Sequence, residues 1–157
     1  EAGGCCILTE SPSFTPGDVL VDLTVFSYPS ACESEISKIW SVPWYGGLSS
    51  DYGFWGWYCK WEIDSYEIGG DPDMLLSIVV GAGHRYPDIC RLVVGVTMSC
   101  PESNYMSYMI EKDVDYQWGQ TYEIDDFYTS SGSGYMGDCT CYFNGQPWID
   151  VTLPSAP

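Results

Sequence analysis

From Trp55 onward the odd positions of the stretch Phe54 to Ile63 are all apolar: Trp55, Trp57, Cys59, Trp61 and Ile63. Lys60 and Glu62 take even positions with Phe54 and Tyr58. Successive side chains of an extended chain point to opposite faces, so a period of two predicts a strand, here with three tryptophans turned into one core. Asp18 to Tyr28 carries the same alternation, Val19, Val21, Leu23 and Val25 against Asp18, Asp22 and Thr24, until Pro29 closes it. That is the pattern of a half-buried antiparallel strand. Met74 to Val80 is a continuous apolar run suited to a buried strand, and Ile89 to Cys100 sets Cys90, Leu92, Val94, Val96 and Met98 in one register.

Shorter elements fill the remainder. Cys5 to Leu8 reads as a lead-in strand, Tyr105 to Ile110 as the return of a hairpin across Pro101 to Asn104, and Tyr122 to Tyr128 as an edge strand. Cys139 to Phe143 runs into the tight-turn pair Asn144-Gly145, and Trp148 to Leu153 comes back as the second arm of a final hairpin. Glu33 to Trp40, with Ile36, Ile39 and Trp40 at helical spacing, predicts a helix of barely two turns. Glycine and proline mark Ser41 to Gly53, Glu67 to Asp73, Gly81 to Asp88 and Ser130 to Gly134 as turns or loops. About eight to nine strands with at most one short helix predict an all-β chain, an antiparallel β-sandwich or jelly roll forming a single domain over residues 1–157. The closing Ile149-Asp-Val-Thr-Leu echoes the opening Val21-Asp-Leu-Thr-Val, which suggests that the two terminal strands are neighbours.

Charge narrows the partners. Five Lys and Arg stand against 22 Asp and Glu, a formal net charge of −17, which repels phosphate backbones and anionic lipid. Nucleic acid is therefore not expected as a partner, nor is membrane insertion, since no apolar run is long enough for a spanning helix. At 45% hydrophobic and 16% aromatic the chain nonetheless has the composition of a packed domain. It opens Glu-Ala-Gly-Gly, as expected of a processed protein or a segment of a longer one. Eight cysteines, Cys5, Cys6, Cys32, Cys59, Cys90, Cys100, Cys139 and Cys141, point to disulfides and an oxidising, extracellular setting.

Catalytic chemistry finds little support. His84 is the single histidine, it sits in a Gly-Ala-Gly-His-Arg context read as a turn, and no Gly-x-Ser-x-Gly elbow accompanies it. With 22 carboxylates, no one pair stands out as a glycosidase acid and base. The acidic runs Asp71 to Asp73, Glu111 to Asp115 and Glu123 to Asp126 lack the spacing of a calcium loop and read as solvated faces. Cys5-Cys6 and Cys139-Thr-Cys141 lack the spacing of a zinc site. The expectation is a non-enzyme without metal or cofactor. Aromatic residues remain as candidate ligand or interface groups: Trp44, Tyr45, Tyr52, Tyr86, Tyr105, Tyr108, Trp118 and Tyr122. Such rings stack on sugars or fill subunit contacts, and they also pack over strand edges.

The paired cysteine near the start, the Val-Asp-Leu-Thr-Val strand, Gly-Trp-Tyr-Cys in mid-chain, Arg-Leu-Val-Val ahead of a cysteine and the terminal Cys-Thr-Cys before Val-Thr-Leu together resemble cysteine-containing β-sandwich modules of bacterial surface proteins and phage structural proteins. The resemblance implies an extracellular, cell-surface or virion setting and no catalytic residue. The function expected from it is a structural or adhesive subunit that assembles with itself or decorates a larger particle or filament. The alternative is a carbohydrate-binding module acting through exposed Trp and Tyr.

One covalent expectation can be tested without a partner. Adjacent cysteines bond each other only with strain, so Cys5 and Cys6 each need a distant partner. Both thiols of Cys139-Thr-Cys141 leave one face of a strand, which lets that strand serve a neighbour carrying Cys5 and Cys6. Such a bond closes a loop of about 135 residues, for which chain entropy gives about 4 to 5 kcal/mol before native strain. Cys32, Cys59, Cys90 and Cys100 then pair among themselves. Non-reducing peptide mapping should recover Cys5 or Cys6 linked to Cys139 or Cys141, and free thiols at all four would exclude the clamp.

Overall fold

The computed structural model describes residues 16–28, 35–44, 58–68, 71–85, 89–99, 105–113, 116–125, 128–132, 142–143 and 148–155, with side chains at 16–24, 37–44, 58–63, 76–83, 90–97, 116–125 and 148–155. The described residues hold strands and no helix: β1 (Val19–Tyr28), β2 (Glu35–Val42), β3 (Tyr58–Ile68), β4 (Asp71–Arg85), β5 (Ile89–Ser99), β6 (Tyr105–Asp113), β7 (Thr121–Ile124), β8 (Tyr128–Gly132), β9 (Tyr142–Phe143) and β10 (Trp148–Thr152). They form two antiparallel sheets, one in the order β2-β1-β10-β7 with β9 also pairing β1, the other β3-β4-β5-β6-β8.

The alternation seen in the sequence sets the faces. In the β1 sheet Val19, Val21 and Leu23 share a face with Ile149, Val151 and Leu153, and with Ile124 and Val42, all at most 4% exposed. The other sheet answers in rows, Cys59–Ala82–Leu92, Trp61–Val80–Val94 and Ile63–Ile78–Val96. One apolar cluster takes its members from both sheets. Trp61 ties them directly: its indole Nε1 donates to the Gly17 carbonyl at 3.0 Å just ahead of β1, and its backbone bridges Trp44 just beyond β2. The turn before β7 is pinned in the same way, Gly119 N–H to the Pro154 carbonyl at 2.8 Å and Leu153 N–H to the Gln120 carbonyl at 3.0 Å. Gly119 carries φ of 81°, which a side chain would strain.

β1 and β10 lie side by side, with Val21 opposite Val151 and Leu23 opposite Ile149, so the echo between the two terminal strands is a true pairing. Several expectations need correction. The helix expected over Glu33 to Trp40 is a strand from Glu35 on, Glu33 and Ser34 lying outside the described residues. Glu35–Val42 instead pairs with Val19–Phe26 over eight positions, and a two-turn helix offers too few backbone bonds to compete with that ladder. Gly81 to Arg85 is the end of β4 and not a turn, so His84 lies in a strand opposite Cys90. The glycines that suggested a turn sit opposite large neighbours, Gly81 beside Lys60 and Val93, and Gly83 beside Tyr58 and Arg91. The central strand begins at Tyr58 and runs on to Ile68; Trp55 and Trp57 lie outside the described residues.

The single edge strand expected from Tyr122 to Tyr128 is two strands in two sheets, since the chain leaves β10 after buried Ile124 and joins β6 from Tyr128. Ser130 to Gly132, expected in a loop, belongs to that second strand, where an edge position tolerates small polar residues. The Asn144-Gly145 hairpin does not form between β9 and β10. β10 already has β1 on one side and β7 on the other, which leaves no edge for β9, and β9 pairs with Ser27 and Tyr28 of β1.

Replacing Trp61 with Ala removes a side chain 1% exposed and a hydrogen bond between the sheets. The expected loss in urea-unfolding free energy is about 3 to 5 kcal/mol, and a loss below about 1 kcal/mol would contradict the packing described.

Candidate functional site

The inward positions of the β1 sheet are apolar, and its outward positions are of a different kind. Three rows cross the sheet. The first runs Ser41–Leu20–Thr152–Thr121, the second Ile39–Asp22–Asp150–Glu123, the third Ser37–Thr24–Trp148. Leu20 at 45%, Ile39 at 64% and Trp148 at 50% are the exposed large hydrophobics among the described residues, and all three stand on this face. Strands are about 4.8 Å apart, so the four of them present a surface about 14 Å across, flat enough to be met by another surface.

Hydroxyl groups knit the strands together. Thr121 and Thr152 share a hydrogen bond between their hydroxyls at 2.8 Å, those of Thr24 and Ser37 approach to 3.4 Å, and Ser41 Oγ donates to Asp18 Oδ2 at 2.8 Å. The middle row is acidic: Asp22 lies opposite Asp150, and Asp150 opposite Glu123. Like charges placed directly opposite weaken a strand pair by a few tenths to about 1 kcal/mol. Asp150 Oδ1 is shielded from solvent and has no hydrogen-bond partner. The carboxylates do not converge, and among the described residues no group of His, Cys, Asp or Glu is arranged to hold a metal ion.

Part of the outer face of the second sheet is buried. Tyr58 and Val93 point away from the shared cluster, yet are 1% and 0% exposed. Lys60 pairs with Glu62 across 3.9 Å on that side. Among the described residues, the exposed large apolar groups thus stand on one of the two outer faces.

The aromatic residues singled out in the sequence divide differently. Trp44, Trp118 and Tyr122 are half-buried and pack against the core. Tyr122 lies inward opposite Val151, with its hydroxyl accepting from the Gln117 N–H at 2.7 Å, and Trp118 meets Tyr116 edge to face at 6.5 Å between centroids. Tyr116, itself buried, donates its hydroxyl to the Gly83 carbonyl at 3.1 Å. Trp44 Nε1 is shielded without a hydrogen-bond partner. Tyr105 and Tyr108 are positions of β6, opposite Ser99 and Val96, whereas Tyr45, Tyr52 and Tyr86 lie outside the described residues.

Among the cysteines, Cys90 is disulfide-bonded. Cys59, expected in a disulfide, is a buried thiol facing the shared cluster opposite Ala82, where sulfur acts as a small apolar group. Cys5, Cys6, Cys32, Cys100, Cys139 and Cys141 lie outside the described residues.

The sequence reading passed over Leu20, Ile39 and Trp148. Each sits among polar residues of its strand, as Trp148 does with Asp150 and Thr152 opposite the phase of Ile149, Val151 and Leu153. A large apolar residue out of phase with its strand is the signal that would have found them. No family model matches the chain, and neither a curated protein nor a solved structure matches it.

Trp148→Ala should change unfolding free energy by less than about 0.5 kcal/mol, as surface replacements do. Trp118→Ala should cost about 2 kcal/mol or more through lost core packing. Paired urea titrations compare them, and the reverse order would contradict the assignment of faces.

Proposed function

We propose that this chain is a non-enzymatic structural or adhesive subunit, a single β-sandwich domain working outside the cell, on its surface or in a virion. It assembles with itself or decorates a larger particle or filament through the outer face of the β1 sheet, and it needs no cofactor. The observation that carries this reading is the gathering of Leu20, Ile39 and Trp148 on one outer face while Tyr58 and Val93 on the other are buried. An exposed apolar patch rimmed by polar groups is the usual mark of a surface that another molecule covers. The disulfide at Cys90 supports an oxidising setting. The resemblance to cysteine-containing modules of surface and phage proteins supports the same setting.

A second reading rests on Trp148. Its half-exposed ring stands one position along the face from Asp150 and opposite Thr24, an arrangement in which a sugar ring stacks and its hydroxyls meet polar side chains. On this reading the chain is a carbohydrate-binding module acting through exposed aromatic rings, Trp148 among them.

The test is the company the chain keeps in its native source. A chain carrying Ile39→Ser and Trp148→Ser should fold, judged by circular dichroism, and should leave the high-mass fraction in which the unaltered chain sediments. An unaltered chain that sediments alone, or a doubly substituted chain that stays in the high-mass fraction, would remove the proposal. Turnover of a polysaccharide or ester panel by the purified chain, lost on replacing a single Asp or Glu, would also remove it.

A further inference from the structure

The charge on the outer face of the β1 sheet selects what covers it, an inference that rests on that face being a contact surface. Asp22, Asp150 and Glu123 occupy consecutive strands of one row. Among the described residues no cation meets them, the described ion pair being Lys60 with Glu62 on the other sheet. Asp150 Oδ1 is already cut off from solvent without a partner, so covering the face further with a neutral surface would strand more negative charge. We infer that the occupant is a protein segment bearing Lys and Arg side chains, and not a second copy of this chain.

The chemistry of the neighbouring positions fits such a segment. Guanidinium groups donate in pairs to carboxylates and lie flat on aromatic rings, and Trp148 stands one position from Asp150 on the same face, about 7 Å along the strand. Leu20 and Ile39 flank Asp22 on neighbouring strands or rows and give the aliphatic stems of such side chains an apolar footing. A second copy lacks the means. The chain has five Lys and Arg in all and a net charge of −17. Of the three described cations Lys60 is engaged by Glu62, Lys38 lies 5.8 Å over the Trp40 ring, and Arg91 stands on the other sheet opposite Gly83. A two-fold contact through this face would set one acidic row against another, which repels. A neutral glycan would use Trp148 and leave all three carboxylates without a counter-charge.

Titration of the isotopically labelled chain with a synthetic poly-arginine peptide, followed by amide NMR shifts at physiological salt, tests this. Shifts should concentrate at residues 20–24, 37–41, 121–123 and 148–152. Asp22→Asn with Asp150→Asn, near-isosteric changes whose spectra report the fold, should weaken binding about tenfold. Glu62→Gln with Asp113→Asn, an equal change of charge on the other sheet, should stay within about twofold. Shifts spread evenly over the surface, or equal losses from the two double variants, would show general attraction to an acidic protein and overturn the inference. So would a calcium ion that titrates stoichiometrically onto the row. A neutral oligosaccharide that moves the same residues where the peptide does not would overturn it while leaving the contact surface standing. A peptide that moves nothing overturns it alone if the native chain still sediments with a large assembly, and together with the contact surface if that chain sediments alone.

Discussion

The register of β1 against β2 and β10 is the constraint on which the rest depends. In a strand a slip of one residue moves every side chain to the opposite face. Here a slip of β1 would carry Asp22 into the shared core and turn Val21 outward. Burying an unpaired carboxylate costs several kcal/mol, far more than the few tenths to about 1 kcal/mol of facing like charges across a solvated sheet. The acidic row therefore resists misregistration even though it weakens the pairing locally. Trp61 then fixes how the second sheet meets the first, since its ring fills the core and its indole nitrogen reaches the chain ahead of β1.

Legibility in the sequence followed the period. Val19 to Leu23 and Ile149 to Leu153 declare their inner faces through strict alternation, Cys90, Leu92, Val94 and Val96 share one phase of their strand, and the structure places these inner positions in the core. What the sequence hid was decided by partners distant in the chain. Ile36, Ile39 and Trp40 happen to fall at helical spacing, and only the ladder with β1 turns them into a strand. Gly81 and Gly83 read as a turn because the large residues opposite them, Lys60, Tyr58, Arg91 and Val93, are far away in sequence. Asn144-Gly145 is a sound local hairpin signal, and it yields because β10 is flanked on both sides.

The candidate site was the least legible part for a related reason. Aromatic residues in glycine-rich stretches carry no local mark of burial, and Trp44, Trp118 and Tyr122 pad the edge of the core. Trp148 looked like one more strand residue, and its strand phase puts it outside. Exposure is set by phase within a strand and by whether the other side of the sheet is covered, and only the first of these is written locally. The difference between the two outer faces, one buried at Tyr58 and Val93 and one open at Leu20, Ile39 and Trp148, is what turns an all-β fold without recognisable relatives into a functional proposal.

Hydroxyl-radical footprinting of the chain, alone and within its native assembly, probes that difference most directly. Trp148, Leu20 and Ile39 should be oxidised readily in the isolated chain and protected in the assembly, with Trp61 protected in both. Oxidation of Trp148 to the same extent in both states, or its protection in the isolated chain, would contradict the assignment of this face as the surface the protein works through.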